Sequence, residues 1–221
     1  MTLQDIIERV GEEEFLTACE EARQAAPTTG HGASGFNSDL PHDVSEWIWD
    51  SDLSPLDKLA LVFGVYEQMP CYSFFFCVIV HAYRGLSEDE RLVLWQYYAR
   101  YLSSEDAALA EPAAYSLWCD VFESPARVQE AWNALVLNTN NERLLRRVLI
   151  ASGPVPFALK EALYSRLLPD RKWHPFIFRS LLHSRHDMYG DFDAGRARDV
   201  FQKLDLPPDT EHLDDLAAIL A

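Results

Sequence analysis

Alternation of apolar and polar residues with a period of two is missing from this chain, and so are the Asn-Gly and Asp-Gly pairs that mark hairpins. Helix-start signals stand in their place. Thr2 precedes "LQD" with Asp5 three residues on, the pattern of a capping box, in which side chains satisfy orphan backbone N–H groups. Ser54-Pro55 offers a cap and a first-position proline, with Asp57 in the positive first turn. Ser87 with Glu90 and Ser103 with Asp106 repeat the box, and Ser124-Pro125 repeats the cap and proline. Asn140 or Asn141 opens "NERLLRRVLIA", which stops at Gly153-Pro154; Pro156, Pro175 and Asp193 open the next three segments. Pro112 lacks the N–H that a helix interior needs, so a new helix is expected to start there.

The stretch "CYSFFFCVIVHAYRG", Cys71 to Gly85, is the most apolar in the chain. Phe74 to Val80 carries no charged group, yet is far shorter than the roughly 20 apolar residues that cross a bilayer. A lone strand would leave its backbone without partners. The context therefore predicts a helix from about Tyr72 to Tyr83, apolar on all sides and buried centrally.

Helix openings at Ser54, Ser87, Ser124, Pro156 and Asp193 are separated by 33, 37, 32 and 37 residues. Bulky residues recur at similar offsets: Leu59 and Val62, Leu92 and Trp95, Val128 and Trp132. Over roughly residues 54–204 this period resembles the two-helix repeats of HEAT-like or armadillo-like solenoids, a likeness of period and pattern without any family consensus. It implies stacked helical hairpins; an irregular multi-helix bundle gives a similar spacing. Either way the fold class is all-α.

The chain before residue 54 is organised differently. Helices near Leu3–Val10 and Glu12–Ala26 precede "PTTGHGASGFNSDLPHD", read as a long loop over 27–43. A short helix with Trp47 and Trp49 follows. These two rings fall on different faces, so one of them is a candidate for a partner surface. The reading divides the chain into residues 1–53 and a helical-hairpin domain of 54–221.

Charge changes the picture more than composition does. Net charge is −16 with 48% apolar residues, which excludes disorder as the default and disfavours nucleic acid and anionic membranes as partners. Met1 to Lys58 holds thirteen acids against Arg9, Arg23 and Lys58, a balance of −10; Glu142 to His186 holds nine bases against three acids, +6. The first cluster, with Glu12, Glu13 and Glu14 at its centre, fits a basic partner. The second, with Arg143, Arg146 and Arg147, fits an anion or phosphate. No signal sequence is read at the acidic N-terminus. Cys19, Cys71, Cys77 and Cys119 form no CxxC pair and read as buried thiols of a reducing compartment, so a cytoplasmic location is expected.

Chemistry has few candidates. His183, His186 and Asp187 sit at helical spacing, but no third ligand accompanies them and Arg179 and Arg185 oppose a cation. His31, Asp39, His42 and Asp43 share the long loop, and His81 ends the apolar helix with no partner base or nucleophile in sight. No phosphate loop, dinucleotide fingerprint or nucleophile elbow occurs. The sequence thus favours a non-catalytic protein–protein interaction protein without cofactor or metal, of the kind of an acidic bacterial immunity or inhibitor protein that binds a basic toxin or effector. The alternatives are an all-α enzyme with its site in the 27–43 loop or at His183–Asp187, and an anion-recognising module over 143–185.

Overall fold

The structure, a computed structural model of the chain, describes residues 1–25, 39–117, 125–137, 139–152, 155–184 and 192–220. Among these there are thirteen α-helices and no strand, an all-α multi-helix fold. The chain divides into two compact units, Met1–Val121 and Phe122–Ala221. The sequence reading put its break at residue 53/54. In the structure, helices on both sides of that point pack together within the first unit.

That unit comprises α1 (Leu3–Val10), α2 (Glu12–Ala25), α3 (Leu40–Trp49), α4 (Pro55–Gln68), α5 (Tyr72–Cys77), α6 (Glu88–Leu102) and α7 (Ala107–Ser116). Local chemistry fixes most of the starts. The Asp5 N–H donates to the Thr2 hydroxyl at 3.3 Å while the Thr2 N–H donates to the Asp5 carboxylate at 2.7 Å. Ser87 and Glu90 exchange the same pair, and the Ser54 hydroxyl accepts from the Asp57 N–H. Gly11 joins α1 to α2 at φ 98°, a conformation that costs a residue with a Cβ but not glycine.

Three local readings are corrected. Ser103 closes α6 instead of opening a helix: its hydroxyl donates to the Ala99 carbonyl, and Asp106 is the cap of α7, accepting from the Ala108 N–H at 2.9 Å. Pro112 starts nothing. It lies inside α7, where the one missing backbone bond is outweighed by burial of Pro112, Ala113 and Ala114 in a helix that packs on α5 and α6. Of the loop expected over 27–43, residues 27–38 lie outside the described residues, and 40–43 do not belong to a loop: Asp39 precedes α3 and Leu40–Asp43 are its first turn, with Pro41 at a position that lacks an intrahelical partner anyway.

The apolar stretch is helical as expected, but its winding changes. α5 passes into a π-helical turn, Val78–Ala82, then a 3₁₀ turn, Tyr83–Gly85. Crowding of β-branched side chains against the preceding turn gives a reason for the looser winding at Val78 and Ile79. The stretch is also not apolar-buried on every side, since Phe76 is 38% exposed.

Phe75 anchors the core. Its ring is 4.4 Å from that of Tyr98, 4.8 Å from Tyr66 and 5.1 Å from Phe63, centroid to centroid. The buried phenols packed around Phe75 need hydrogen-bond partners, and Tyr66, Tyr101 and Tyr98 have them. Tyr66 donates to the Leu109 carbonyl, Tyr101 to the Glu67 carboxylate at 3.0 Å, and Tyr98 shares a bond with the Ser116 hydroxyl at 3.2 Å.

The second unit contains α8 (Pro125–Trp132), which continues as a π-helical turn Asn133–Leu137, then α9 (Glu142–Ala151), α10 (Phe157–Leu167), a 3₁₀ turn Arg171–Trp173, α11 (His174–Ser184), α12 (Ala194–Phe201) and α13 (Leu213–Leu220). Asn141 caps α9 and Asp193 caps α12. α9 packs on α11, and α12 packs on both α11 and α13. Buried His174 ties the chain after α12 to the start of α11. Its Nδ1 accepts from the Asp205 N–H at 2.8 Å, so its Nε2 must carry the proton that it gives to the Leu168 carbonyl at 2.9 Å.

Phe75→Ala should lower stability by about 3–5 kcal/mol, read as a drop in the denaturant midpoint, because three rings lose their shared neighbour. A change below ~1 kcal/mol contradicts the central role of Phe75. Burial holds the phenols of Tyr66, Tyr101 and Tyr164 above the usual tyrosine range. Their folded form keeps the proton longer than the unfolded form does, so their contribution is intact below about pH 10 and is lost as pH rises beyond it. Alkaline titration should therefore show the phenolate absorbance of these three residues appearing together with loss of helical circular dichroism, not before it.

Candidate functional site

Nearly all of the net charge lies in one unit. Residues 1–121 hold 21 acids against six bases, a balance of −15, and residues 122–221 hold 14 against 13, a balance of −1. No described acid of the first unit is buried. Five of its six bases, by contrast, are drawn into internal contacts. The Arg9 guanidinium lies 3.7 Å from the centroid of the Trp47 ring. Arg23 donates to the Glu67 carbonyl and pairs with Asp106 at 3.4 Å. Lys58 donates to the Trp49 carbonyl at 2.6 Å, Arg91 to the Leu86 carbonyl at 2.8 Å, and Arg100 pairs with Glu67 at 2.8 Å. The acids therefore dominate the outer surface, where fields act over about 8 Å in physiological salt.

Glu12, Glu13 and Glu14 occupy the first turn of α2, exposed, where the helix dipole favours them. Exposed Glu20 and Glu21 follow along the same helix, and Leu16 stands among them at 59% exposure. Phe15, Ala18 and Ala22 form the opposite, buried stripe. Trp47 and Trp49 are both half-buried. Trp47 is covered on one face by Arg9, and the buried Trp49 indole N–H has no hydrogen-bond partner among the described residues.

The first turn of α3 gathers His42 and Asp43 with Glu46 one turn on, their ligand atoms within 4.8 Å of one another. These three side chains could hold a metal ion. The positive end of the helix works against a cation there, and the His42 imidazole is already 3.8 Å from the Glu46 carboxylate. His31 lies outside the described residues, as do His186 and Asp187; of His183 the structure shows a half-buried ring at the end of α11. For His81 only the backbone, within the π-helical turn, is described. The thiols of Cys71 and Cys77 are buried, and burial pushes Cys77 up to about 11, far from the range of a nucleophile.

The basic segment is more internally paired than its sequence indicates. Arg146 lies 3.6 Å from Glu142 and 5.1 Å from the Phe176 ring centroid. Lys172 bridges Glu142 and Asp170, Arg171 pairs with Asp205 at 2.8 Å, and Arg166 donates to the carbonyls of Val136 and Leu137. Arg143 is exposed and Arg147 half-buried. These pairs sit mostly at the surface, where each contributes little to stability.

Sequence reasoning missed a buried polar cluster in the second unit. Lys160 is 1% exposed, and its ammonium donates to the Ser184 hydroxyl at 2.7 Å and the Ser152 carbonyl at 3.1 Å. Ser180 joins Ser152 and Tyr164 by hydroxyl contacts of 2.6 Å each. A lysine beside a serine can serve nucleophilic catalysis. Here both groups are sealed from solvent, so the cluster reads as a polar brace between the end of α9, α10 and α11. Its only sequence signal is a lysine at a core-facing helical position, between Phe157, Leu163 and Tyr164.

None of the described helices is long and apolar enough to cross a membrane. No family model, no curated protein and no solved structure matches the chain.

Replacing the Lys160 ammonium by an apolar chain of similar length, Lys160→Met, should cost about 1–3 kcal/mol in the unfolding midpoint, since the Ser152 carbonyl loses its donor. Ser184→Ala should cost less, because the lysine keeps its carbonyl partner. Equal wild-type stability in both variants contradicts the bracing role.

Proposed function

We propose that the chain is a non-catalytic binding protein whose first unit takes a basic protein partner. The observation that carries this reading is the concentration of the net charge in residues 1–121, with no described acid buried and with five of the six bases committed to internal contacts. Such a field steers a cationic partner into encounter and rejects nucleic acid and anionic lipid surfaces. Glu12, Glu13 and Glu14 are its foremost group, and half-buried Trp47, stacked under Arg9 of α1, and Trp49 are its aromatic candidates. An inhibitor or immunity protein that covers the basic surface of a toxin or effector in the cytoplasm is the physiological role that this chemistry fits best. A solenoid-like stacking of helical hairpins, HEAT-like in period, would give it an extended surface for that purpose.

The alternatives have less support. The Arg146 and Lys172 contacts leave less of the basic segment for an anion; of the enzyme alternative at the 27–43 loop or His183–Asp187, residues 27–38 and 185–187 lie outside the described residues.

A lysine-rich peptide is a sufficient probe. Its association with the protein should slow as salt rises, with dissociation nearly constant. The triple change Glu12→Lys, Glu13→Lys, Glu14→Lys should weaken binding about tenfold at low salt. Changing Arg143, Arg146 and Arg147 to Glu should not weaken it. Binding that ignores salt, or is indifferent to the glutamate triple, refutes steering by the acidic field of the first unit.

A further inference from the structure

The field of the first unit attracts a basic partner but does not say where it docks. A second feature does. Tyr72 and Phe76 are one turn apart on α5 and so share a face. On α7, which packs against α5, the Tyr115 ring meets that of Tyr72 edge-on, with centroids 5.3 Å apart and planes at 71°. The three rings are not core. Phe74 and Phe75 are fully buried, whereas Phe76 is 38% and Tyr115 42% exposed. One turn before Tyr115 stands exposed Glu111, and one turn before that exposed Ala107, so the outward row of α7 reads small, acidic, aromatic.

Rigid aromatic side chains at a surface are what interface hot spots are made of. An aromatic ring with a carboxylate one helical turn away is also a specific receptor. A guanidinium can lie on the ring while its N–H groups reach the carboxylate; an ammonium, compact and strongly hydrated, uses such a pair less well. We propose that Tyr72, Phe76, Tyr115 and Glu111 form the docking platform for an arginine side chain from a basic segment of the partner protein. The proposal rests on the basic-partner reading above and adds to it a place and a residue preference. A second copy of this chain is a poor occupant, because it would bring another unit of balance −15 and its own Glu111 to the contact.

Dye-labelled oligo-arginine and oligo-lysine of equal length test this by fluorescence anisotropy on the full chain. Oligo-arginine should bind about fivefold tighter than oligo-lysine at moderate salt. Tyr115→Ala and Tyr72→Ala should each remove that preference and leave oligo-lysine binding as it was. Tyr115→Phe should keep the preference, and Glu111→Gln should reduce it. Equal affinity for the two peptides, or a preference that survives Tyr115→Ala, overturns the platform while the basic-partner reading stands. Self-association that Tyr115→Ala abolishes likewise overturns it, in favour of a second copy. If neither peptide binds even at low salt, both readings fall together. Circular dichroism of each variant separates loss of the ring from loss of the fold.

Discussion

The first unit depends on the burial of Phe75 among the rings of α4 and α6. Three aromatic neighbours within about 5 Å of one ring make a core that is dense, slow to rearrange and rich in dispersion contacts. That core has to oppose something unusual. A balance of −15 on about 120 residues repels itself, and self-repulsion favours expansion. The aromatic cluster and the carboxylate field are therefore two parts of one arrangement, in which packing tolerates a charge that packing did not require.

This coupling bears on function. Charge that weakens the fold is retained by a protein only where something else depends on it, or where the margin of stability is ample. The internal use of Arg9, Arg23, Lys58, Arg91 and Arg100 sharpens the point. Each base is placed where it supports helix packing, none of the described acids is buried, and so the outer field stays negative. The second unit, nearly neutral, manages polarity the other way. It buries a lysine and satisfies it with serines and a carbonyl, a device that fixes one arrangement of α10 and α11 instead of shaping a surface.

What was legible in the sequence was local. Thr2, Ser54, Ser87, Asn141 and Asp193 cap helices because a cap needs only its own next three residues. Ser103 was misread because two capping residues lie three apart, and the end of α6, set by packing of Tyr101 and Leu102, decides between them. Pro112 was misread because tertiary burial overrides a local rule. The unit boundary after Val121 was not legible, since "LWCDVFES" carries neither the glycine nor the proline of a linker. For the sites, composition pointed to the acidic region but could not tell that the rest of the charge nearly cancels within residues 122–221. Nor could it bring Tyr72 to Tyr115 across 43 positions, or Lys160 to Ser184 across 24.

The short length of α5 connects these observations. A six-residue helix has little intrinsic stability and holds its place through side-chain packing alone. Phe74 and Phe75 turn inward and fix it; Phe76, the next residue in the row, must then turn outward, because successive helical positions are about 100° apart. The same packing that buries Phe75 sets Tyr72 and Phe76 on the surface and draws α7 close enough for Tyr115 to reach Tyr72. The exposed aromatic face is thus a geometric consequence of the core beneath it. Changes to that core would move the face as a unit, whereas changes to Tyr115 or Glu111 would alter its chemistry and leave the fold in place.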